Sequence, residues 1–283
     1  MEAVMKAVFF ICALMSILAV AVICIFLFVN GVPAMAKIGL FDFLGGTKWA
    51  PSNVPASYGI FPMIVGSIYV TAGALIIGVP IGVLTAIFMS HYCPKSLYRF
   101  LKPAIQLLAG IPSVVYGFFG LVVVVPFIRE NFGGTGSSIL TASIILGIMI
   151  LPTIIEVTES SLRAVPSSYY EGAIGLGASH ERAVFFTVLP AAKSGVTAGI
   201  VLGIGRAIGE TMAVQMIVGN QPILPHSILD GVRTLTTNIV MEMGYATDLH
   251  REALIATAVV LFVFILLINL CCSALKNRSK EKA

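Results

Sequence analysis

The sequence is short of charge. Asp, Glu, Lys and Arg make up 11% of its 283 residues, where a soluble domain carries about a quarter. With 58% hydrophobic residues, that deficit excludes an ordinary soluble domain and fits a chain whose solvent is lipid. Cysteine is sparse: Cys12, Cys24, Cys93, Cys271 and Cys272 show no metal-ligand spacing, and none falls in a segment placed outside the cell below. No disulfide framework or metal site is implied. No Gly-x4-Gly-Lys-Ser/Thr occurs, which excludes a P-loop in this chain. Gly203, Gly205 and Gly209 have the wrong spacing for a dinucleotide fingerprint and follow no strand. No His pairs with a nucleophile in a recognisable arrangement, so no enzyme site is visible. The net charge of +4 is mild and scattered through short connections and the tail, which argues against nucleic acid. Repeats, low-complexity tracts and a hidden soluble domain are missing as well, because the longest connections are too short for an independent core.

What is present is a series of six apolar segments, Ala7–Val29, Phe61–Met89, Ala104–Ile128, Ser138–Ile155, Ser194–Gly219 and Ala253–Leu275. Each is long enough for a membrane-spanning helix, so the expected fold is an all-α integral membrane domain over 1–283. The first segment follows Lys6 and resembles a signal peptide at first sight. Its length, and the lack of a small-residue cleavage pattern before Asn30, favour a retained span. Pro80, Pro112, Pro126 and Pro152 lie inside spans and are expected to kink them. A kinked bundle suits a transport path, and ordinary packing irregularity explains any single proline equally well. Lys and Arg are distributed eleven to five between the two sets of connections. By the positive-inside rule both termini and the connection 156–193 are cytoplasmic, and 30–60, 129–137 and 220–252 are external.

The connection 156–193 is longer than joining two helices requires. Pro166 ends the preceding segment, and Ser168 with Glu171 has the S-x-x-E form of a capping box. Gly175 and Gly177 interrupt the helix that follows. Ser179 is placed to cap a second helix, with Glu181 in its first turn, and Pro190 breaks the chain before the fifth span. The expected object is a helix, a sharp turn and a second helix held under the membrane, a shape suited to mechanical docking.

The fifth span is the only one with charges, Arg206 and Glu210. A charge in mid-span costs about 2.5–3.5 kcal/mol on insertion scales, so these groups should face the bundle interior or water. Four residues apart on a helix, they would share a face and can pair. One reading is a structural pair that fixes register. The other is a transport-path element, in which the planar guanidinium takes an oxyanion by two parallel hydrogen bonds. Gly195, Gly199 and Gly203 form a small-residue ridge on the same helix, which allows a neighbour to approach closely.

Glu171, Ala173, Gly177, Leu189 and Pro190 stand at the offsets E-A-A-x3-G-x9-I-x-L-P that mark integral subunits of bacterial ABC importers. Gly172 and Thr187 depart from that pattern, and Gly172 weakens the first helix by about 1 kcal/mol. The resemblance implies that this loop docks onto a separate ATPase. RAIGETMAVQMIVGN at 206–220, YGIFPMIVGS at 58–67, IPSVVYGFFGL at 111–121 and MILPTI at 149–154 resemble the phosphate importer permease of the PstC type. The residues after Thr211 resemble that type more than its sister permease, PstA. The similarity spans about residues 49–245. It implies the type I ABC importer permease fold in a bacterial inner membrane, with a PstA-type partner permease, two ATPase subunits and an external phosphate-binding protein. It also implies that Arg206 and Glu210 take part in phosphate passage. ATP would be used by the partner subunits, and no cofactor is expected on this chain. Sulfate and molybdate importers share the coupling loop, so another oxyanion is an alternative cargo. A gradient-driven secondary transporter or channel is the alternative from another class, and a signalling scaffold is compatible with transport.

Outside these features, the external loop 220–252 carries Arg233 and the run RTLTT, read as a surface helix for the binding protein or a solvated connection. Trp49 and Tyr58 are expected at the membrane interface, and Glu156 and Glu159 as interface residues near the cytoplasmic end of the fourth span.

Overall fold

A backbone in hydrocarbon must satisfy its N–H and C=O groups within its own segment, and the apolar runs accordingly form helices. The computed structural model describes residues 2–280, apart from the side chains at 3 and 272–280. Helix α1 covers Glu2–Ile38, and α2 is the short Leu40–Gly45. Strands β1 (Trp49–Ala50) and β2 (Ser57–Tyr58) pair antiparallel, with Trp49 opposite Tyr58. Helix α3, Phe61–Ile87, closes in a π-turn at Phe88–Tyr92. Then come α4 (Lys95–Gly110), α5 (Ser113–Phe119), a second π-turn (Gly120–Val124) and α6 (Val125–Phe132). Helix α7 is Ile139–Arg163, α8 is Ser167–Gly175 and α9 is His180–Ala183. A third π-turn (Val184–Val188) leads through α10 (Leu189–Ala191) to α11 (Lys193–Gly209), followed among the described residues by α12 (Met212–Ile217), α13 (Leu235–Glu242) and α14 (Asp248–Lys280).

Among the described residues, five helical stretches are long and apolar enough to cross a bilayer: Val4–Ile38, Phe61–Tyr92, Ser113–Phe132, Ile139–Arg163 and Asp248–Cys271. A sixth forms if His180–Ala191 and Lys193–Gly209, bent by 70°, count as one span. Two apolar segments are divided. The stretch 104–128 breaks at Ile111–Pro112, both extended. Proline has no N–H and disfavours helix in the residue before it, so the spanning part starts at Ser113 and α4 is a separate helix with no buried residue. The stretch 194–219 breaks at Glu210.

Helix α7 is the axis of the bundle, with α3 against one side and α11 against the other. Glycines permit the close approach. A Cβ at Gly78 or Gly82 of α3 would stand 2.8 Å from Ile150 or Ile154 of α7. On α11 a Cβ at Gly195 would stand 2.0 Å from Ser161 Oγ, and Gly199 and Gly203 meet Val157 and Ile154 in the same way. The expected glycine ridge therefore faces α7. Helices α1 and α14 pair antiparallel through Gly31 against Val259 and a Lys37–Glu252 contact of 2.7 Å, so the start of α1 and the end of α14 lie toward the same end. Ala34 and Met35 near the end of α1 are buried against α14 and its neighbours, and most apolar side chains before them are exposed, the surface that lipid covers. One end of the bundle carries the first π-turn, α8 and α9, and the other carries the β-hairpin and α13.

Candidate transport path and coupling surface

The α8–α9 hairpin is fixed by local chemistry. Pro166 stands at the N-cap of α8 without a side-chain cap. Ser168 is already inside the first turn, so the expected Ser168–Glu171 capping box does not form. At the other end Gly177 takes φ +87°. Ala178 N–H donates to Ala173 O at 3.0 Å and Gly177 N–H to Ile174 O at 2.9 Å, a Schellman closure that needs the left-handed residue. Ser179 Oγ then accepts from Arg182 N–H at 3.3 Å and caps α9. Hydrogen bonds from its own backbone and from Ser179 hold the Glu181 carboxyl below its usual pKa.

The inner side of the hairpin is anchored by Val184, Val188 and Ala192, which pack with Ile87 and Leu162. The outer side is open. Glu171, Gly177 and Pro190 are exposed, and Ala173 and Leu189 half-buried. Leu176 at the tip is 92% exposed and Phe186 77%. An apolar tip on a rigid base, flanked by Glu171, is an arrangement for insertion into a groove of another protein.

At the break between α11 and α12 the structure departs from the expected ion pair. Gly209 is the last helical residue, and Glu210 is extended, with φ −70° and ψ 129°. The i,i+4 geometry is lost. Glu210 Oε1 instead accepts from Ala213 N–H at 3.1 Å and serves the first turn of α12. Arg206 Nη1 donates to Thr153 Oγ1 of α7 at 3.2 Å. Among the described residues no carboxylate lies within 4.0 Å of Arg206, so the guanidinium keeps most of its donors for another partner. Beside Glu210 the space lined by Ser67, Thr71, Thr234 and Thr236 is only about 10 Å³, room for about one water.

Two polar centres that sequence reasoning missed brace the ends. Glu159, expected at the membrane interface, is 1% exposed. It takes Tyr98 Oη at 2.7 Å, Lys102 Nζ at 2.7 Å and Arg163 Nε at 2.8 Å, tying α4 to α7. Burial pulls the Lys102 pKa down, but the hydrogen bond and charge of Glu159 outweigh it, so the net shift is upward. At the opposite end, buried Glu242 receives Arg233 Nη1, Trp49 Nε1 at 2.9 Å and pairs with His250 Nε2 at 2.8 Å. Trp49 is therefore buried within the protein and does not face lipid. Thr234 and Thr237 form a reciprocal capping box that starts α13. Most of that helix is buried, so RTLTT does not begin a surface helix. The Arg163–Glu159 spacing was visible in the sequence, whereas Trp49 and Glu242 are 193 residues apart, with no local signal.

The fold has known counterparts. Residues 78–280 match the family described as binding-protein-dependent transport system inner membrane component. The probable ABC transporter permease protein YqgH of Bacillus subtilis is 41% identical, covering 91% of this chain and 86% of that protein. The phosphate transport system permease protein PstC of Mesorhizobium japonicum is 35% identical, covering 87% and 81%. Among solved structures, a bacterial alginate ABC transporter chain superposes with TM-score 0.64 at 15% identity, covering 96% of both chains. A chain of the MetNI methionine ABC transporter in an inward-facing conformation gives TM-score 0.59 at 20% identity, covering 78% of this chain and 94% of that one. These likenesses carry the type I importer permease fold. A family match over most of the chain, with two relatives above the identity at which membership is secure, makes this chain a member of the binding-protein-dependent transport system inner membrane component family.

Proposed function

We propose that this chain is the membrane-spanning subunit of an ATP-driven importer of inorganic phosphate, driven through the α8–α9 hairpin by a separate ATPase. The observation that carries the proposal is the hairpin itself, an exposed apolar tip on a base packed into the bundle. Glu171, Ala173, Gly177, Leu189 and Pro190 are assigned to ATPase docking. The charge bias of the connections supports a cytoplasmic position for the hairpin and both termini. The chain is a conducting partner and not the ATP-hydrolysing enzyme, it holds no cofactor of its own, and ATP is bound by the ATPase subunits. The assembly is a heterodimer with a PstA-type permease on two ATPase subunits, fed by an external binding protein.

Phosphate as cargo draws on the PstC relatives and on Arg206. A half-buried guanidinium without a carboxylate partner among the described residues offers an oxyanion the bidentate contact it prefers. Glu210 stands at the helix break beside the narrow hydroxyl-lined space and is assigned to the same path. The test is uptake into proteoliposomes holding the complete assembly and the binding protein. Phosphate entry should require ATP and resist excess sulfate and molybdate. Entry without ATP would overturn the energy source, and equal competition by sulfate would overturn the cargo.

A further inference from the structure

Two tyrosines and two histidines meet where the hairpin joins the bundle. Tyr170 Oη of α8 is 2.8 Å from His180 Nδ1 of α9. The His180 ring meets the Tyr92 ring, in the π-turn after α3, nearly edge-on at 4.6 Å, and His91 lies 6.4 Å from Tyr170. The Tyr92 hydroxyl is buried and has no hydrogen-bond partner among the described residues. Next to the cluster is a cavity of about 190 Å³ lined by Ser90, His91, Arg163, Ser167 and Tyr170, which leaves the base of α8 room to shift.

We propose that His180 is a positioning residue for energy coupling: it locks α8 to α9 through Tyr170 and bears on the end of α3 through Tyr92. This rests on the reading of the hairpin as the ATPase contact. The covalent link between α8 and α9 is a glycine turn, and glycine bends easily. A push on Leu176 would be absorbed there unless a cross-brace made the two helices one lever. With the proton on Nε2, His180 Nδ1 accepts from Tyr170. The Nε2–H then lies on the ring that meets Tyr92 edge-on, so the imidazole held by Tyr170 also bears on the end of α3. From Tyr92, α3 runs to Ser67, whose Oγ accepts from Leu235 N–H of α13 at 2.9 Å. Thr236 of α13 donates to Glu210 O at 3.2 Å. The brace therefore links the hairpin to the helix break by contiguous contacts.

The experiment measures inorganic phosphate imported per ATP hydrolysed by the complete reconstituted assembly. Tyr170→Phe and His180→Ala should each lower that ratio about fivefold, the factor that one lost hydrogen bond of ordinary strength makes, while the ATPase subunits still copurify. The double variant should be no worse than His180→Ala alone, and His180→Asn, which keeps an acceptor near the Nδ1 position, should recover part of the loss. Wild-type ratios in the single variants, or additive losses in the double, would overturn the proposal. Tyr170→Phe removes a single oxygen, so it decides the matter even if His180→Ala fails to assemble. Failure of the underlying reading looks different: Leu176→Asp would then leave ATPase copurification untouched.

Discussion

Replacing Arg206 by Gln separates the two roles open to this residue, because they predict opposite signs for stability. If Arg206 and Glu210 formed a buried pair, removing one partner would strand the other and cost about 3–5 kcal/mol. The structure has no such pair: Arg206 contacts Thr153 and Glu210 contacts Ala213 N–H. An unpaired guanidinium in mid-span is itself a burden of about 2.5–3.5 kcal/mol on insertion scales. Gln removes the charge and retains a donor for Thr153. Arg206→Gln should therefore leave the thermal unfolding of the purified assembly unchanged or raise it. Transport should respond differently. One charge-assisted hydrogen bond contributes about 1.5–3 kcal/mol, so losing the two bonds of a bidentate contact to the oxyanion should reduce kcat/KM for uptake by roughly 100- to 10,000-fold. Arg206→Lys keeps the charge without the fork and should fall between. The two assays are thermal denaturation in detergent and uptake in proteoliposomes. Marked destabilisation with Arg206→Gln would refute the reasoning, and so would normal uptake by a stable variant.

Three further outcomes follow from the packing. Gly195→Ala places a Cβ 2.0 Å from Ser161 Oγ and should cost about 1–3 kcal/mol of overpacking, with Ser161→Gly restoring most of the loss in a thermal melt. Gly177→Val should strain the turn at φ +87° and weaken ATPase copurification, whereas Gly177→Asn, which tolerates that region, should retain most of it. Glu159→Ala leaves Lys102 and Arg163 without their shared carboxylate. Because these cations are 28% and 47% exposed, the expected loss is about 2 kcal/mol, below that of a fully buried pair, again measured by denaturation.

Much of the fold was legible because lipid enforces a coarse rule. The apolar run 61–89 matches α3 and the start of its π-turn, 138–155 matches the N-cap and first part of α7, and the four-residue glycine spacing announced a close helix contact on α11, which α7 makes. Hydropathy failed where the chain breaks without becoming polar. Ile111–Pro112 interrupts an apolar stretch whose composition hardly changes across it, although the proline was a signal. At Glu210 the sequence suggested an i,i+4 pair on the assumption of unbroken helix, and Gly209 was the residue that warned otherwise. Ser179 capped its helix as expected because nothing upstream competed. Ser168 did not, because Pro166 started α8 two residues earlier. The centres at Glu159 and Glu242 depend on partners brought from distant segments, Lys102 in one case and Trp49 in the other. No periodicity encodes such meetings.

The claim on which the account turns is that the ATPase acts on the α8–α9 hairpin, and site-directed cross-linking tests it most directly. In a cysteine-free chain assembled with its partners, Leu176→Cys at the hairpin tip and Val54→Cys at the opposite end are compared, both residues being exposed. The account predicts a cross-link from position 176 to the ATPase subunit, with a yield that changes when ATP is added, and none from position 54. An ATPase that copurifies yet cross-links only from position 54 would contradict the assignment of the hairpin and its orientation together.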